Sequence, residues 1–158
     1  MTPDEFRRLG HRLVEWVADY RAHIETLPVM SRSQPGEIRA AFPKEPPQQG
    51  GGLEAALPTL DSVIVPGITH WTHPGFFAYF PSNFDLSAVL GDLVSSGLGA
   101  QGMSWQTSPA ATELEEVVME WLRQALDLPA TFTGVIHDTA STATFCALLC
   151  ARERASGH

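Results

Sequence analysis

The stretch HWTHPGFFAYFP, residues 70–81, places five aromatic residues and two histidines within twelve positions. Proline and glycine interrupt it too often for a helix, so the part from Phe76 to Phe80 is predicted to be a short extended segment. Aromatic residues at this density cannot all face one core. Two interpretations follow from the residues alone: a plug in a hydrophobic core, or a wall that is buried on one face and lines a pocket or an interface on the other.

Composition narrows the class of protein. The chain has 158 residues, 44% of them hydrophobic, and a net charge of −8, which suits one domain or a small domain plus part of another. The negative charge argues against a nucleic-acid or anionic-membrane partner. No apolar run approaches the roughly 20 residues of a membrane span, and the first residues lack an apolar signal core. These features predict a cytoplasmic protein that acts on small molecules.

The first helix is strongly signalled. Thr2, Pro3 and Glu5 supply a capping hydroxyl, a proline at the first helical position and the glutamate of a capping box. An apolar stripe follows at helical spacing, and the helix is predicted to end near Leu27, before Pro28. The stripe consists of Phe6, Leu9, Leu13, Trp16, Val17, Tyr20 and Ile24. Residues 28–52 form a proline-rich strap, so the sequence offers little to cover this stripe, and a dimer partner is the expected cover.

Four further helices are predicted, with one helical turn in the strap at residues 35–41. Their ranges are 53–65, 86–97, 109–127 and 143–154. Glu113, Glu115 and Glu116 lie in the first half of the third of these and are interpreted as a solvated acidic face. Cys146 and Cys150, one turn apart on the last helix, are interpreted as buried thiols and not as a metal or redox site.

A candidate anion site precedes the last helix. Residues 134–137 are predicted to form a short strand, and residues 138–142 a hydroxyl-rich turn. Strand, turn and helix start is an arrangement that binds phosphate, because the first amides of a helix have no internal partners and its dipole favours an anion. Thr139, Ser141 and Thr142 would add hydroxyl donors, whereas Asp138 opposes an anion unless it caps the helix or points away. An ordinary helix cap is the alternative interpretation.

Residues with acid–base chemistry are few. The candidates are His70, His73 and His137, and a structural role for each is the alternative. Their spacing does not suggest a metal site. Lys44, in the strap, is the chain's single lysine. A reaction that needs an active-site lysine is therefore not completed by this chain, and no catalytic residue is assigned within it.

Three separated motifs resemble one family in a single register. They are HWTHPGFFAYFP (70–81), SWQTSPAATELE (104–115) and GVIHDTASTATFCALLCAR (134–152), and DEFRRLGHRLVEWVADY and PGEIRAAFP look similar too. Together they resemble the N-terminal portion of the group II pyridoxal-phosphate-dependent decarboxylases, with aromatic-L-amino-acid decarboxylases as the most similar branch. The resemblance covers essentially the whole chain.

The resemblance implies an α/β fold, mostly helical in this portion, with the fold-type I architecture of pyridoxal-phosphate enzymes. Residues 1–84 would form an N-terminal helical arm that dimerises across a partner subunit, with the strap and the aromatic segment. Residues 85–158 would begin the cofactor-binding large domain, which this chain leaves incomplete. The implied partners are the remainder of the same enzyme, a second copy in a homodimer, and an amino acid.

The resemblance also implies the site. Thr139, Ala140 and Ser141 match positions that hold the phosphate of pyridoxal 5'-phosphate. The positions that match the substrate pocket are Trp71, Tyr79, Phe80, Pro81, Ser82, Gln101 and Met103, the last two reaching in from the neighbouring subunit. Phe76 and Phe77 are expected to belong to the core. Met103 stands where the animal enzymes have phenylalanine, Gln101 where they have an aliphatic residue, and Ser82 where they have threonine. His137 and Asp138 replace a glutamine and a glycine. A more polar, flexible wall leaves the substrate side chain undetermined.

The expected function is decarboxylation of an L-amino acid to an amine and carbon dioxide. The catalytic lysine would lie outside this chain, so the chain alone is expected to be inactive. Two alternatives stay open: an inactive fragment that acts as a dimerisation or interaction module, and an aldehyde-forming relative within the same family.

Overall fold

The computed structural model describes residues 1–79 and 85–157, and within these ranges every regular element is a helix. The chain divides into two compact units, Met1–Leu86 and Ser87–His158. The α-helices are α1 (Pro3–His23), α2 (Glu37–Ala40), α3 (Gly52–Thr59), α4 (Val65–Gly67), α5 (Leu86–Leu98), α6 (Pro109–Ala125) and α7 (Ala140–Ser156). A 3₁₀ turn, Ile24–Thr26, extends α1, and a π-helical segment, Leu60–Ile64, joins α3 to α4.

The start of α1 confirms the predicted capping box. The Thr2 hydroxyl accepts a hydrogen bond from the Glu5 amide at 3.2 Å, and the Glu5 carboxylate accepts one from the Thr2 amide at 2.6 Å. Pro3 occupies the first helical position, where its missing amide proton costs nothing. The 3₁₀ turn carries the helical path to Thr26, so the predicted end near Leu27 is also confirmed.

The chain itself folds back along α1. Every fourth residue of α1 from position 8 contacts the returning segment, residues 52–70. The pairs are Arg8 and Arg12 with Glu54, Trp16 with Asp61, and Tyr20 with His70. Leu9 and Ile24 are buried beside these contacts. The chain itself thus covers part of the stripe, while Phe6 stays exposed and the other four stripe residues are only half-buried. A dimer partner as the cover for the rest stays a prediction.

Residues 52–67 form one helical path despite two internal prolines. The predicted helix at 53–65 is confirmed, but Pro58 does not interrupt it. Proline donates no hydrogen bond and its ring crowds the carbonyl four residues earlier, so the next turn widens into the π-helical segment. The Ser62 hydroxyl donates to the Pro58 carbonyl at 2.9 Å, and the Val65 amide donates to the Leu60 carbonyl. These two bonds keep the helical path continuous from Pro58 to Val65.

The second unit begins its helices at capping hydroxyls. The Ser108 hydroxyl accepts from the Ala111 amide at 3.3 Å ahead of α6, and the Thr139 hydroxyl accepts from the Thr142 amide at 3.2 Å ahead of α7. Because Thr139 is the cap, α7 starts at Ala140, three residues before the predicted start, and takes up most of the predicted turn.

The strand predicted at residues 134–137 is not formed. A strand needs a neighbour that accepts its amides, and the described ranges provide no such neighbour. The Ile136 amide donates instead to the Glu115 carboxylate at 2.7 Å. The loop lies close against α6, since a Cβ at Gly134 would sit 3.1 Å from the sulfur of Met119.

The apolar faces of the second unit are open. No described residue from Ser87 to Gly157 is buried, and large hydrophobic side chains of all three helices are exposed. They include Val89, Leu90, Leu93, Val94, Leu114, Val117, Trp121, Leu122, Phe145 and Leu148. Cys146 is half-buried and Cys150 exposed, so the buried-thiol prediction was wrong for Cys150. Burying a side chain of this kind stabilises a fold by roughly 1.5–3 kcal/mol, and these helices leave that stabilisation unused. Among the described helices, none is both long and apolar enough to cross a bilayer.

An ion pair closes the end of α6. Nε and Nη2 of Arg123 donate to the two carboxylate oxygens of Glu120, each at 2.7 Å, and Nη1 donates to the Leu128 carbonyl. The Gln124 amide also donates to Glu120. These hydrogen bonds lower the pKa of Glu120 from 4.5 to about 2, and the bond from Arg123 contributes most. The pair ties the last turn of α6 to the loop that follows it.

We expect Glu120→Gln to flatten the acid limb of the stability profile. A carboxyl with a lowered pKa adds stability above pH 4.5 and loses it as pH falls towards about 2. The wild-type chain should therefore lose more stability than the variant across that window, as measured by thermal unfolding followed by circular dichroism. Glu116→Gln, one turn earlier, is the control, since Glu116 has no ion-pair partner in the described part of the chain. Identical acid limbs for wild type and Glu120→Gln would contradict the assignment.

Candidate functional site

Residues 70–76 of the first unit fold as two successive turns. The His73 amide donates to the His70 carbonyl at 3.0 Å, and the Phe76 amide donates to the His73 carbonyl at 2.9 Å. The Gly75 amide donates to Nδ1 of His73 at 2.8 Å, so the His73 ring holds the second turn. The described part of the segment predicted as extended, residues 76–79, has no regular secondary structure.

The turns bring three aromatic rings together. Trp71 stacks on Phe76 with ring centres 5.1 Å apart and on Tyr79 at 5.5 Å, with interplanar angles of 27° and 17°. Trp71 is 45% exposed and Tyr79 73% exposed, so both keep an accessible face. Phe76, predicted as core, is half-buried within this cluster. Phe77, also predicted as core, is 92% exposed, and that prediction was wrong.

The loop is anchored to α1 through Tyr20. The Tyr20 hydroxyl lies 2.8 Å from Nδ1 of His70, whose side chain is only 2% exposed. Burial lowers the pKa of His70, with a further contribution from the charge of His73. Burial raises the pKa of Tyr20, and a hydrogen bond with the Thr72 side chain opposes that rise. The 2% exposure of His70 and its contact with Tyr20 favour a structural role for this residue over an acid–base role.

In the second unit, two carboxylates of α6 hold the flanking loops. Glu113 accepts a hydrogen bond from the indole of Trp105 at 2.8 Å, and Glu115 accepts the Ile136 amide described above. Glu113 and Glu116 are exposed, in agreement with the predicted solvated acidic face, whereas Glu115 is half-buried. The first contact fixes the loop that carries Gln101 and Met103, and Met103 is 82% exposed.

The start of α7 gathers the predicted phosphate ligands. Thr139 is the cap, and Ala140 and Ser141 are the first two residues of the helix, so their amides point out of its N-terminal end. With the Ser141 hydroxyl they form a donor set that suits a phosphate dianion at the positive end of the helix dipole. Hydrogen bonding with the Thr142 side chain, and to a smaller extent with the Thr139 amide, lowers the pKa of Asp138. The helix cap is Thr139 and not Asp138, so the Asp138 carboxylate still opposes an anion at the start of α7.

Several predicted residues are not placed in a common site. Phe80, Pro81 and Ser82 lie outside the described residues. Trp71 and Tyr79 belong to the first unit, and Gln101, Met103 and residues 139–141 to the second. A cavity of about 370 Å³ lies between α6 and the loop at 126–134, and no predicted site residue lines it. Within the described ranges no group of histidine, cysteine, aspartate and glutamate could hold a metal ion.

The sequence interpretation missed the anchoring of the loop. Tyr20 was assigned to the apolar stripe, and Thr72 was given no role. The available signal was that Tyr20 is the single residue of that stripe with a hydroxyl group, which has to find a partner when buried.

Comparison with known proteins identifies the family. The model of the family described as "Pyridoxal-dependent decarboxylase conserved domain" matches residues 35–158. Tryptophan decarboxylase 2 of Oryza sativa subsp. japonica is 44% identical over 98% of this chain and 32% of its own length. Phenylacetaldehyde synthase of Arabidopsis thaliana is 42% identical over 98% of this chain and 33% of its own. The chain thus spans about a third of the length of these relatives.

A solved structure agrees with the sequence comparisons. The crystal structure of Catharanthus roseus tryptophan decarboxylase in complex with L-tryptophan matches 98% of this chain and 34% of its own, with a TM-score of 0.90 and 40% identity. This match confirms the predicted fold class, and the family model confirms pyridoxal phosphate as the cofactor at the level of the family. The chain belongs to the pyridoxal-dependent decarboxylase family.

Proposed function

We propose that this chain is the cofactor-anchoring and substrate-binding part of an enzyme that converts an aromatic L-amino acid to its amine and carbon dioxide. The main support for this proposal is the start of α7. The amides of Ala140 and Ser141 and the Ser141 hydroxyl lie there, at positions that match the phosphate ligands of the family. Pyridoxal phosphate, when bound, supplies the electron sink that accepts the electron pair left by carbon dioxide. The tryptophan and tyrosine decarboxylases among the relatives support an aromatic substrate.

The proposed role of the α7 start is to fix the phosphate. The amides of Ala140 and Ser141 and the Ser141 hydroxyl donate to it, while Thr139 keeps the first turn in place through its bond to the Thr142 amide. A dianion held there needs no lysine, since backbone amides and the helix dipole provide the positive potential.

The proposed role of Trp71 and Tyr79 is to line the substrate pocket, with Phe80, Pro81, Ser82, Gln101 and Met103. The stacked pair presents flat, accessible ring faces, and such faces bind an aromatic side chain by offset stacking. Rings already packed against Phe76 lose little freedom when a substrate binds.

The remainder of the enzyme is proposed to cover the open faces of α5, α6 and α7. Their exposed hydrophobic side chains form an apolar surface of the kind that folded proteins bury. A homodimer and a cytoplasmic location are part of the same proposal. The catalytic lysine would also come from the remainder, because Lys44 lies exposed in the strap. The 158-residue chain by itself is accordingly proposed to be inactive.

A second candidate function is formation of an aldehyde from the same kind of substrate. The identity to a phenylacetaldehyde synthase, 42%, is close to that to the tryptophan decarboxylase, so similarity does not separate the two activities. The aldehyde route consumes dioxygen and water and releases the aldehyde, carbon dioxide, ammonia and hydrogen peroxide, whereas the amine route consumes no dioxygen.

Product analysis tests the proposed function. The polypeptide from the complete coding region, loaded with pyridoxal phosphate, should release one amine per carbon dioxide from tryptophan, tyrosine or phenylalanine, without uptake of dioxygen. Amine is measured by chromatography and dioxygen with an electrode. The 158-residue chain under the same conditions should release neither product. Aldehyde with matching peroxide would favour the second candidate, and no turnover of any amino acid would contradict both.

We expect Ser141→Ala to weaken binding of pyridoxal phosphate to the complete enzyme. A hydrogen bond to a charged group is worth about 1.5–3 kcal/mol, so the dissociation constant should rise roughly ten- to a hundredfold. Equilibrium titration of the apoenzyme, followed by the visible absorbance of the bound cofactor, measures it. Thr144→Ala is the matched control, since it removes a hydroxyl beyond the first turn of α7. Equal constants for Ser141→Ala and wild type would remove Ser141 from the phosphate site.

A further inference from the structure

The Tyr20 hydroxyl contacts the residue that precedes Trp71. It lies 2.8 Å from Nδ1 of His70. The rings of Tyr20 and His70 also pack together, with centres 5.7 Å apart. The backbone that leads into Trp71 is therefore held by one side chain of α1.

The backbone at His70 is fixed as well. Its amide donates to the Val29 carbonyl at 2.9 Å, and its carbonyl accepts the His73 amide that closes the first turn. The side chain is 2% exposed, the lowest value among the described polar residues. Removing the Tyr20 hydroxyl would leave Nδ1 of His70 buried without that partner, a state whose cost a small shift of the loop can relieve.

The ring of Trp71 depends on this backbone. Its stacking on Phe76 and Tyr79 holds the three rings parallel to one another but does not fix their common position relative to α1. Within the described residues of the first unit, the Tyr20 contacts join the turn at 70–73 to α1. A shift of that turn moves Trp71 and carries the stacked rings with it.

We propose that Tyr20 and His70 are positioning residues for the substrate pocket, and that the Tyr20 hydroxyl sets where the Trp71 ring stands. This inference rests on the proposed function for its effect on substrate. Neither residue needs to touch the substrate, because both act through the backbone that carries Trp71. The consequence falls on substrate binding and on preference between side chains, not on the bond-breaking step.

The test compares Tyr20→Phe with Asp61→Ala in the complete enzyme. Tyr20→Phe removes only the hydroxyl. Asp61→Ala removes the partner of the Trp16 indole, a 2.8 Å hydrogen bond one turn earlier on α1, and leaves the Tyr20 hydroxyl in place. Two readouts are taken: KM and kcat for the preferred amino acid, and the ¹⁹F NMR signal of fluorotryptophan at position 71 in the cofactor-free protein, assigned with Trp71→Phe.

Tyr20→Phe should shift or broaden the Trp71 signal and raise KM roughly two- to tenfold, the factor that one hydrogen bond is worth. The value of kcat should change less than about twofold, since the reacting groups are untouched. Asp61→Ala should leave both readouts as in the wild type.

The inference is overturned if Tyr20→Phe leaves the Trp71 signal and KM unchanged, or if Asp61→Ala alters them equally, which would indicate a general effect of α1. The NMR readout needs no turnover. A wild-type enzyme that turns over no amino acid would therefore contradict the proposed function, while a shifted Trp71 signal in the same protein would still support the positional part of the inference.

Discussion

The hydrogen bond between the Tyr20 hydroxyl and Nδ1 of His70 is the contact on which the first unit depends. It lies at the end of a row of contacts that begins with Arg8 and Arg12 on Glu54 and continues with Trp16 on Asp61. The ion pairs of that row are exposed to solvent and contribute little stability. The Tyr20 contact differs because His70 is buried, so its loss is not compensated by water. The row sets the register of the returning segment, and its buried end fixes the aromatic loop.

The second unit follows another constraint. Its loops are positioned by polar contacts with α6, through Glu113, Glu115 and the Arg123–Glu120 pair. Within the described part of the chain, the apolar faces of its helices stay exposed. Polar contacts determine where a loop lies, but burial of apolar surface supplies most of the free energy of folding. Polar contacts therefore place the start of α7, where we propose that phosphate binds. The burial of apolar surface that would stabilise the unit is what the proposed remainder of the enzyme would provide.

Local signals in the sequence predicted the helices correctly. Contacts between residues far apart in the sequence could not be predicted. The capping box at Thr2 and the helical turn within residues 35–41 depend on neighbouring residues, and each appears where predicted. The strand at 134–137 failed because a strand exists only with a partner, and the sequence pattern does not show whether one is near. Tyr20 and His70 are fifty positions apart, so neither periodicity nor spacing could join them. The roles of the phosphate and pocket residues came from resemblance and stay predictions.

The arrangement of the described residues argues for a binding role over a chemical one. Both groups of candidate site residues act through shape and fixed dipoles: stacked rings in the first unit, and outward amides in the second. Such groups position a ligand in advance of reaction but move no proton. His70, which could move one, is buried and bonded to Tyr20, and His73 holds a turn. Met103 adds an exposed, flexible thioether where the resemblance leads one to expect an aromatic ring, and a flexible side chain accommodates more than one shape. Discrimination between substrates would then fall mainly on the ring of Trp71, whose position we propose to be set by the Tyr20 hydroxyl.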